Sequence, residues 1–150
     1  MDRRGWRRVL GAVVVGLAVL AGGGIYAQEG KSESTPDKTA DTCADCMKHC
    51  AKALRHCGRQ LADGKKEYLK CLELCADCME MCAATTKCCH GPSATTACGA
   101  CAKMCEDCAK ECDKLPDMKE TAKACRDCAK MCHMMMKHKD KEGGKGGEKP

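Results

Sequence analysis

The chain has 150 residues, 18 of them cysteine, with a formal net charge of +5 at neutral pH. Phenylalanine is absent and aromatic residues make up only 2%. The length allows one domain, and the composition excludes a core of ordinary aromatic and aliphatic packing.

Residues 2 to 8 carry Arg3, Arg4, Arg7 and Arg8, and an apolar run from Val9 to Ala21 follows, closing on small residues up to Ile25-Tyr26-Ala27. This is the n-region, h-region and cleavage-site order of an export signal over residues 1–27. Arg3-Arg4 followed by Gly5-Trp6 suits the twin-arginine route to the periplasm. The run falls short of the ~20 apolar residues that span a bilayer, so no membrane anchor is expected once the signal is removed. Cleavage takes away four arginines and one aspartate and leaves a net charge of about +2. The basic balance lies largely in the leader, and no nucleic-acid partner follows from it.

Residues 28–40, with Ser32, Ser34, Thr35 and Pro36, read as a flexible lead-in. The folded unit is expected over residues 41–138. Thr39, Asp41 or Thr42 is expected to cap a first helix that runs to about Asp63-Gly64. On it Cys43, Cys46, Cys50 and Cys57 share one face, which Leu54 and Leu61 continue. A second helix from about Lys65 places Cys71, Cys75, Cys78 and Cys82 within an arc of about 60°. Cys89 keeps that register and Cys88 points sideways. His90-Gly91-Pro92-Ser93 stops the second helix, and Ser93, Thr95 or Thr96 caps the third. There Cys98, Cys101, Cys105, Cys108 and Cys112 lie at steps of 3, 4, 3 and 4, within an arc of about 80°. Leu115-Pro116-Asp117 turns the chain into a fourth helix, where Cys125, Cys128 and Cys132 share a face with Met118 and Met135 or Met136. Residues 139–150, rich in Gly, Lys and Glu, read as a disordered, solubilising tail.

Four amphipathic helices with short connections predict an all-α, antiparallel up-down-up-down four-helix bundle with a cysteine-lined core. Beyond the leader the chain lacks Phe, Trp, Val and Ile, and its leucines are Leu54, Leu61, Leu69, Leu72, Leu74 and Leu115. So few large apolar side chains cannot fill a domain of this size to native density. Cysteine has to serve as core. The topology sends Leu54, Leu61, Tyr68, Leu69, Leu72, Leu115 and Met118 to one end, with Tyr68, Leu69 and Leu115 as packing residues. It sends Met47, His49, Cys88, Cys89, His90, Met131, His133, Met134, Met135 and Met136 to the other. Met47, His90, His133 and Met134 to Met136 are therefore candidate accessory ligands, whereas His49, His56 and His138 read as solvated.

Three chemistries compete for the thiols. A disulfide scaffold fits an exported chain with an even cysteine count. However, cysteines four apart on a helix have Cβ atoms about 5–6 Å apart, beyond disulfide reach, so only bridges between helices remain. Zinc or an iron–sulfur cluster would use the Cys-x-x-Cys pairs at 43/46, 75/78, 98/101, 105/108 and 125/128, yet such ligands usually sit on loops. Cu(I) is soft and prefers thiolate and thioether. Pairs at i and i+4, such as Cys46/Cys50 or Cys101/Cys105, can grip one such ion, and facing helices can share sulfurs. If every thiol ionised, one Cu(I) per two sulfurs would strand about nine negative charges in the core. Roughly one copper per cysteine would leave it neutral. No nucleophile–base pair, phosphate loop or open catalytic metal site is visible, so no enzyme activity is expected.

The C-x-x-C-x-x-x-C units at 43–50, 98–105 and 125–132, the inverse pattern at 71–82 and the His/Met-lined end resemble the bacterial copper storage proteins. The resemblance covers about residues 39 to 138. It implies a cysteine-lined bundle storing many Cu(I) ions, a homotetramer, a twin-arginine signal for exported members, and exchange with copper donor or acceptor proteins. The cysteine density is closer to that of the cytosolic members, while the leader points to export.

Overall fold

The computed structural model describes residues 34–143. The leader, residues 28–33 of the lead-in and the end of the tail lie outside the described residues. Four α-helices make up the fold: α1 (Thr35–Ala62), α2 (Leu69–Cys88), α3 (Ala94–Cys112) and α4 (Lys119–Gly143), with single 3-10 turns at Lys66–Tyr68 and Pro116–Met118. Each helix packs on its chain neighbours, and α4 returns to α1 to close the ring. No helix among the described residues is long and apolar enough to cross a membrane.

The first helix begins earlier than the lead-in reading allowed. Ser34 is its N-cap, in a capping box with Asp37, and Pro36 sits in the first turn. A serine, a first-turn proline and an acid three residues on satisfy more free N–H groups than a lone threonine. Thr39, read as a possible cap, is instead buried inside the helix, where its hydroxyl donates to the Thr35 carbonyl at 2.8 Å. At the other end of the chain α4 runs to Gly143, past Lys139 where the tail was expected to begin.

Gly64 ends α1 at φ +83°. That left-handed geometry lets Gly64 N–H bond to the Leu61 carbonyl and Lys65 N–H to the Gln60 carbonyl, a Schellman closure. α3 packs on α4, and each buries small residues, Ala102 and Ala109 on the one and Ala122 and Ala129 on the other. Side chains this small let two helix backbones approach closely.

The expected hydrocarbon end is present. Tyr68, Leu115 and Met118 are buried there, and Leu54, Leu61 and Leu72 pack partly buried against the core. Leu69 is the exception: it is 51% exposed rather than packed. It sits about 160° from the cysteine stripe of α2, so helical register overrides its hydrophobicity.

A polar clasp joins three elements at this end. The Tyr68 hydroxyl donates to both oxygens of Asp117 at 3.0 Å, and the His56 ring bonds the same carboxylate. Burial opposes the charge on Asp117, but the bonds from His56 and Tyr68 outweigh it and hold its pKa below the carboxylate range. A carboxyl held low in the folded state adds stability that is complete above the unfolded pKa, about 4. That stability is lost as pH falls through the lower folded value. Asp117→Asn is therefore expected to lower the melting temperature by a few degrees at neutral pH, with the gap closing in strong acid. An equal gap at both pH values would contradict the clasp.

Candidate metal centre

The helical period turns one stripe of each helix inward, and on every stripe cysteine is the commonest inward residue. Seventeen of the 18 cysteines are buried and Cys88 is half-buried. Among the described residues the other buried apolar ones are six alanines, Tyr68, Leu115, Met118 and Met135. The thiols are thus most of the core. All are free thiols in the structure.

Their sulfurs touch across the bundle as well as along each helix. Cys46 meets Cys78 of α2 at 3.8 Å and Cys125 of α4 at 3.7 Å. Cys82 reaches Cys101 and Cys128, both at 3.8 Å, and Cys71 meets Cys112 at 3.4 Å. Five groups have all their sulfurs within 4.8 Å of one another: Cys43/Cys101/Cys128/Cys132, Cys46/Cys82/Cys105/Cys128, Cys46/Cys50/Cys78/Cys125, Cys50/Cys75/Cys108 and Cys71/Cys75/Cys112. Consecutive groups share Cys128, Cys46, Cys50 and Cys75 in turn. Fourteen thiols therefore form one continuous ladder along the bundle axis. Cys57, Cys88, Cys89 and Cys98 stand outside the five groups. The Cys89 thiol donates instead to the Thr86 carbonyl at 3.3 Å.

Mutual hydrogen bonding moves the thiol pKa values in opposite directions. Bonds from Cys108, Cys112 and Cys50 draw Cys75 down to about 5, against Cys71 and burial. For Cys43 the bond to Cys101 works upward, but those from Cys128, Cys132 and Cys82 prevail and bring it to about 5. Cys105 is held up by its hydrogen bonding with Cys101, Cys128, Cys46 and Cys78, with burial adding to the effect. Among the described residues the only buried polar or charged side chains are Thr39, Thr85 and Thr121. No buried cation offsets a thiolate, so several thiolates can coexist in the core only with metal ions as counter-charge.

Arranged in this way, the core is a multinuclear thiolate cage with its ligands already side by side. The copper storage protein family model matches residues 32–137. The chain belongs to this family. Members are storage proteins, not enzymes, and the cysteine-lined bundle is the storing element. Among solved structures, the chain is similar to one titled Cu(I)-bound Copper Storage Protein BsCsp3. Identity is 29% with a TM-score of 0.63, covering 69% of this chain and 99% of that one. No curated protein sequence matches the chain.

The accessory residues fall into two sets. Met135 is fully buried, as are Thr39, Thr85, Ala94 and Cys89. Met136 is partly buried, its sulfur 3.4 Å from where a side chain on Gly99 would begin. Met47 packs partly buried on the thiol core. Met134 is 51% exposed. His90 and His133 are exposed and turned to carboxylates: His90 Nε2 lies 3.4 Å from Asp37, and His133 Nε2 lies 2.9 Å from Glu106. The geometry therefore does not bring either histidine onto the thiol ladder. Met79, Met81 and Met104 also pack against the thiol core and were missed in the sequence. The signal was their position one residue beyond a cysteine or one before, at the edge of the stripe.

Proposed function

We propose that the protein is a high-capacity Cu(I) store that takes up roughly one copper per cysteine. The observation that carries this reading is the unbroken ladder of 14 thiols sharing sulfurs through a core without buried cations. A soft monocation matches each thiolate in charge and accepts the low coordination that a shared sulfur offers. Loading displaces thiol protons, so it weakens as pH falls. While the ladder is unloaded, most of its thiols stay protonated, and these act as small hydrophobes that keep the bundle folded.

In this reading the leader exports the protein to the periplasm, possession of a signal and cage together serving to hold copper outside the cytosol. The assembly is a homotetramer, and copper passes to and from donor and acceptor proteins. The way in is the end formed by Met134 to Met136, with His90 at its rim. Met134 meets solvent, Met136 is half-covered and Met135 touches the buried interior, an order suited to thioether relay. Replacing Met134, Met135 and Met136 by leucine and His90 by alanine is expected to slow Cu(I) uptake several-fold at unchanged capacity. Uptake at the original rate would remove this end from the path, and a large capacity loss would place these residues in the store itself. Thiol counting on native protein separates storage from a disulfide-bonded scaffold, since a fully oxidised set would defeat storage.

A further inference from the structure

The ladder also has a property that a monovalent cargo does not need. Three of its five groups contain four sulfurs, each from a different turn or helix and all within 4.8 Å of one another. A tetrahedral ion with metal–sulfur bonds of about 2.3 Å needs sulfurs about 3.8 Å apart. Within Cys46/Cys50/Cys78/Cys125 the closest pairs stand at 3.8, 3.7 and 3.8 Å, and Cys43 meets Cys128 at 3.7 Å. The remaining spacings need adjustments of about 1 Å or less, within reach of small side-chain rotations.

We propose that the copper-free protein binds two divalent tetrahedral ions of the zinc class, one at Cys43/Cys101/Cys128/Cys132 and one at Cys46/Cys50/Cys78/Cys125. The number follows from sulfur sharing. The third four-sulfur group, Cys46/Cys82/Cys105/Cys128, takes one ligand from each of the other two. With each thiolate held by a single divalent ion, it cannot fill while they are filled. Charge points the same way. Each tetrathiolate site carries a net charge of about −2, and without buried cations the core tolerates few of them. The leftover members of the middle group soften that cost. Cys105 lies 3.6 Å from Cys78 of one site and 3.9 Å from Cys101 of the other. Cys82 lies 3.8 Å from both Cys101 and Cys128. As protonated thiols these two would donate hydrogen bonds to the thiolates at both sites. Binding exchanges thiol protons for the ion, with no change of oxidation state. Cu(I), being softer, would then displace the divalent ions as it loads.

The test is an anaerobic titration of the reduced full-length chain with Co(II), followed by displacement with Zn(II). The visible ligand-field bands report tetrahedral thiolate coordination. Saturation is expected at two ions per chain, each released by one Zn(II). Cys78→Ser removes one site and Cys132→Ser removes the other, so each variant keeps one. The double variant is also expected to keep one, because Cys46 and Cys128 are then free to complete the middle group. Cys105→Ser keeps two. Far-UV circular dichroism checks that each variant retains its helices, and the wild-type count decides alone if one does not. Fewer than two ions, a spectrum without tetrahedral thiolate bands, or a folded double variant that takes none would overturn the proposal. Cu(I) capacity measured on the same preparation stands apart, so a failure of the storage reading would show there and not in the cobalt bands.

Discussion

The Cu(I)-loaded protein is expected to melt more than about 20 °C above the metal-free form. Metal-free, its core is held by thiols and alanines, with Tyr68, Leu115, Met118 and Met135 as the only large buried apolar residues among the described residues. A buried thiol gives up less surface to the hydrophobic effect than a leucine would. Each ion bound at about 100 times its dissociation constant adds about 2.7 kcal/mol, less whatever affinity it has for the unfolded chain. Cysteines in an unfolded chain also bind copper, so the relevant quantity is the surplus from holding four helices' sulfurs together. Even four ions at half that value would add about 5 kcal/mol, comparable to the whole stability of a modest domain. At several degrees per kcal/mol the shift exceeds 20 °C. Thermal melts of both forms check it. A shift of only a few degrees would mean that the copper sits at the surface rather than in the ladder.

Which sulfurs are removed is expected to matter more than how many. Serine at Cys46, Cys50, Cys75 and Cys128 deletes every sulfur that joins one group to the next. Copper held through those joints loses a ligand on both sides, and capacity is expected to fall to about half or less, by more than one ion per sulfur removed. Serine at Cys57, Cys88, Cys89 and Cys98 removes the same number of thiols, all outside the five groups. That variant should lose at most about four ions and keep the remaining loading curve. Metal content of the two proteins after saturation and gel filtration makes the comparison. Equal losses would show that the thiols act as independent sites and that the sharing has no energetic meaning.

Much of this was legible in the residues. A period of 3 and 4 in cysteine fixes both the helix and its inward face, because nothing else in the chain was large enough to compete for the core. The up-down-up-down order followed from connections as short as Gly91-Pro92-Ser93, and it correctly collected Tyr68, Leu115 and Met118 at one end. Other features were not legible. The start of α1 depends on which of several good capping residues satisfies the most N–H groups, and Ser34 with Asp37 outdoes the threonines downstream. Register decides the rest: Leu69 looked like core by composition and faces solvent. His90 and His133 looked like ligands by type. The charged residues they meet, Asp37 and Glu106, lie 53 and 27 positions away in the chain, a proximity that only the folded helices create. The grouping of thiols into a shared ladder was beyond sequence for the same reason, since it depends on the relative heights of four separate helices.

If the thiol core is the store, copper capacity follows the number of thiols in it. Fully reduced protein is titrated anaerobically with Cu(I) against a competing chelator of known affinity, and the copper retained per chain is read at saturation. Storage by the core predicts a value approaching one copper per cysteine, near 18, withheld from the chelator. Saturation at two to four ions, or loss of the copper to the chelator, would contradict it.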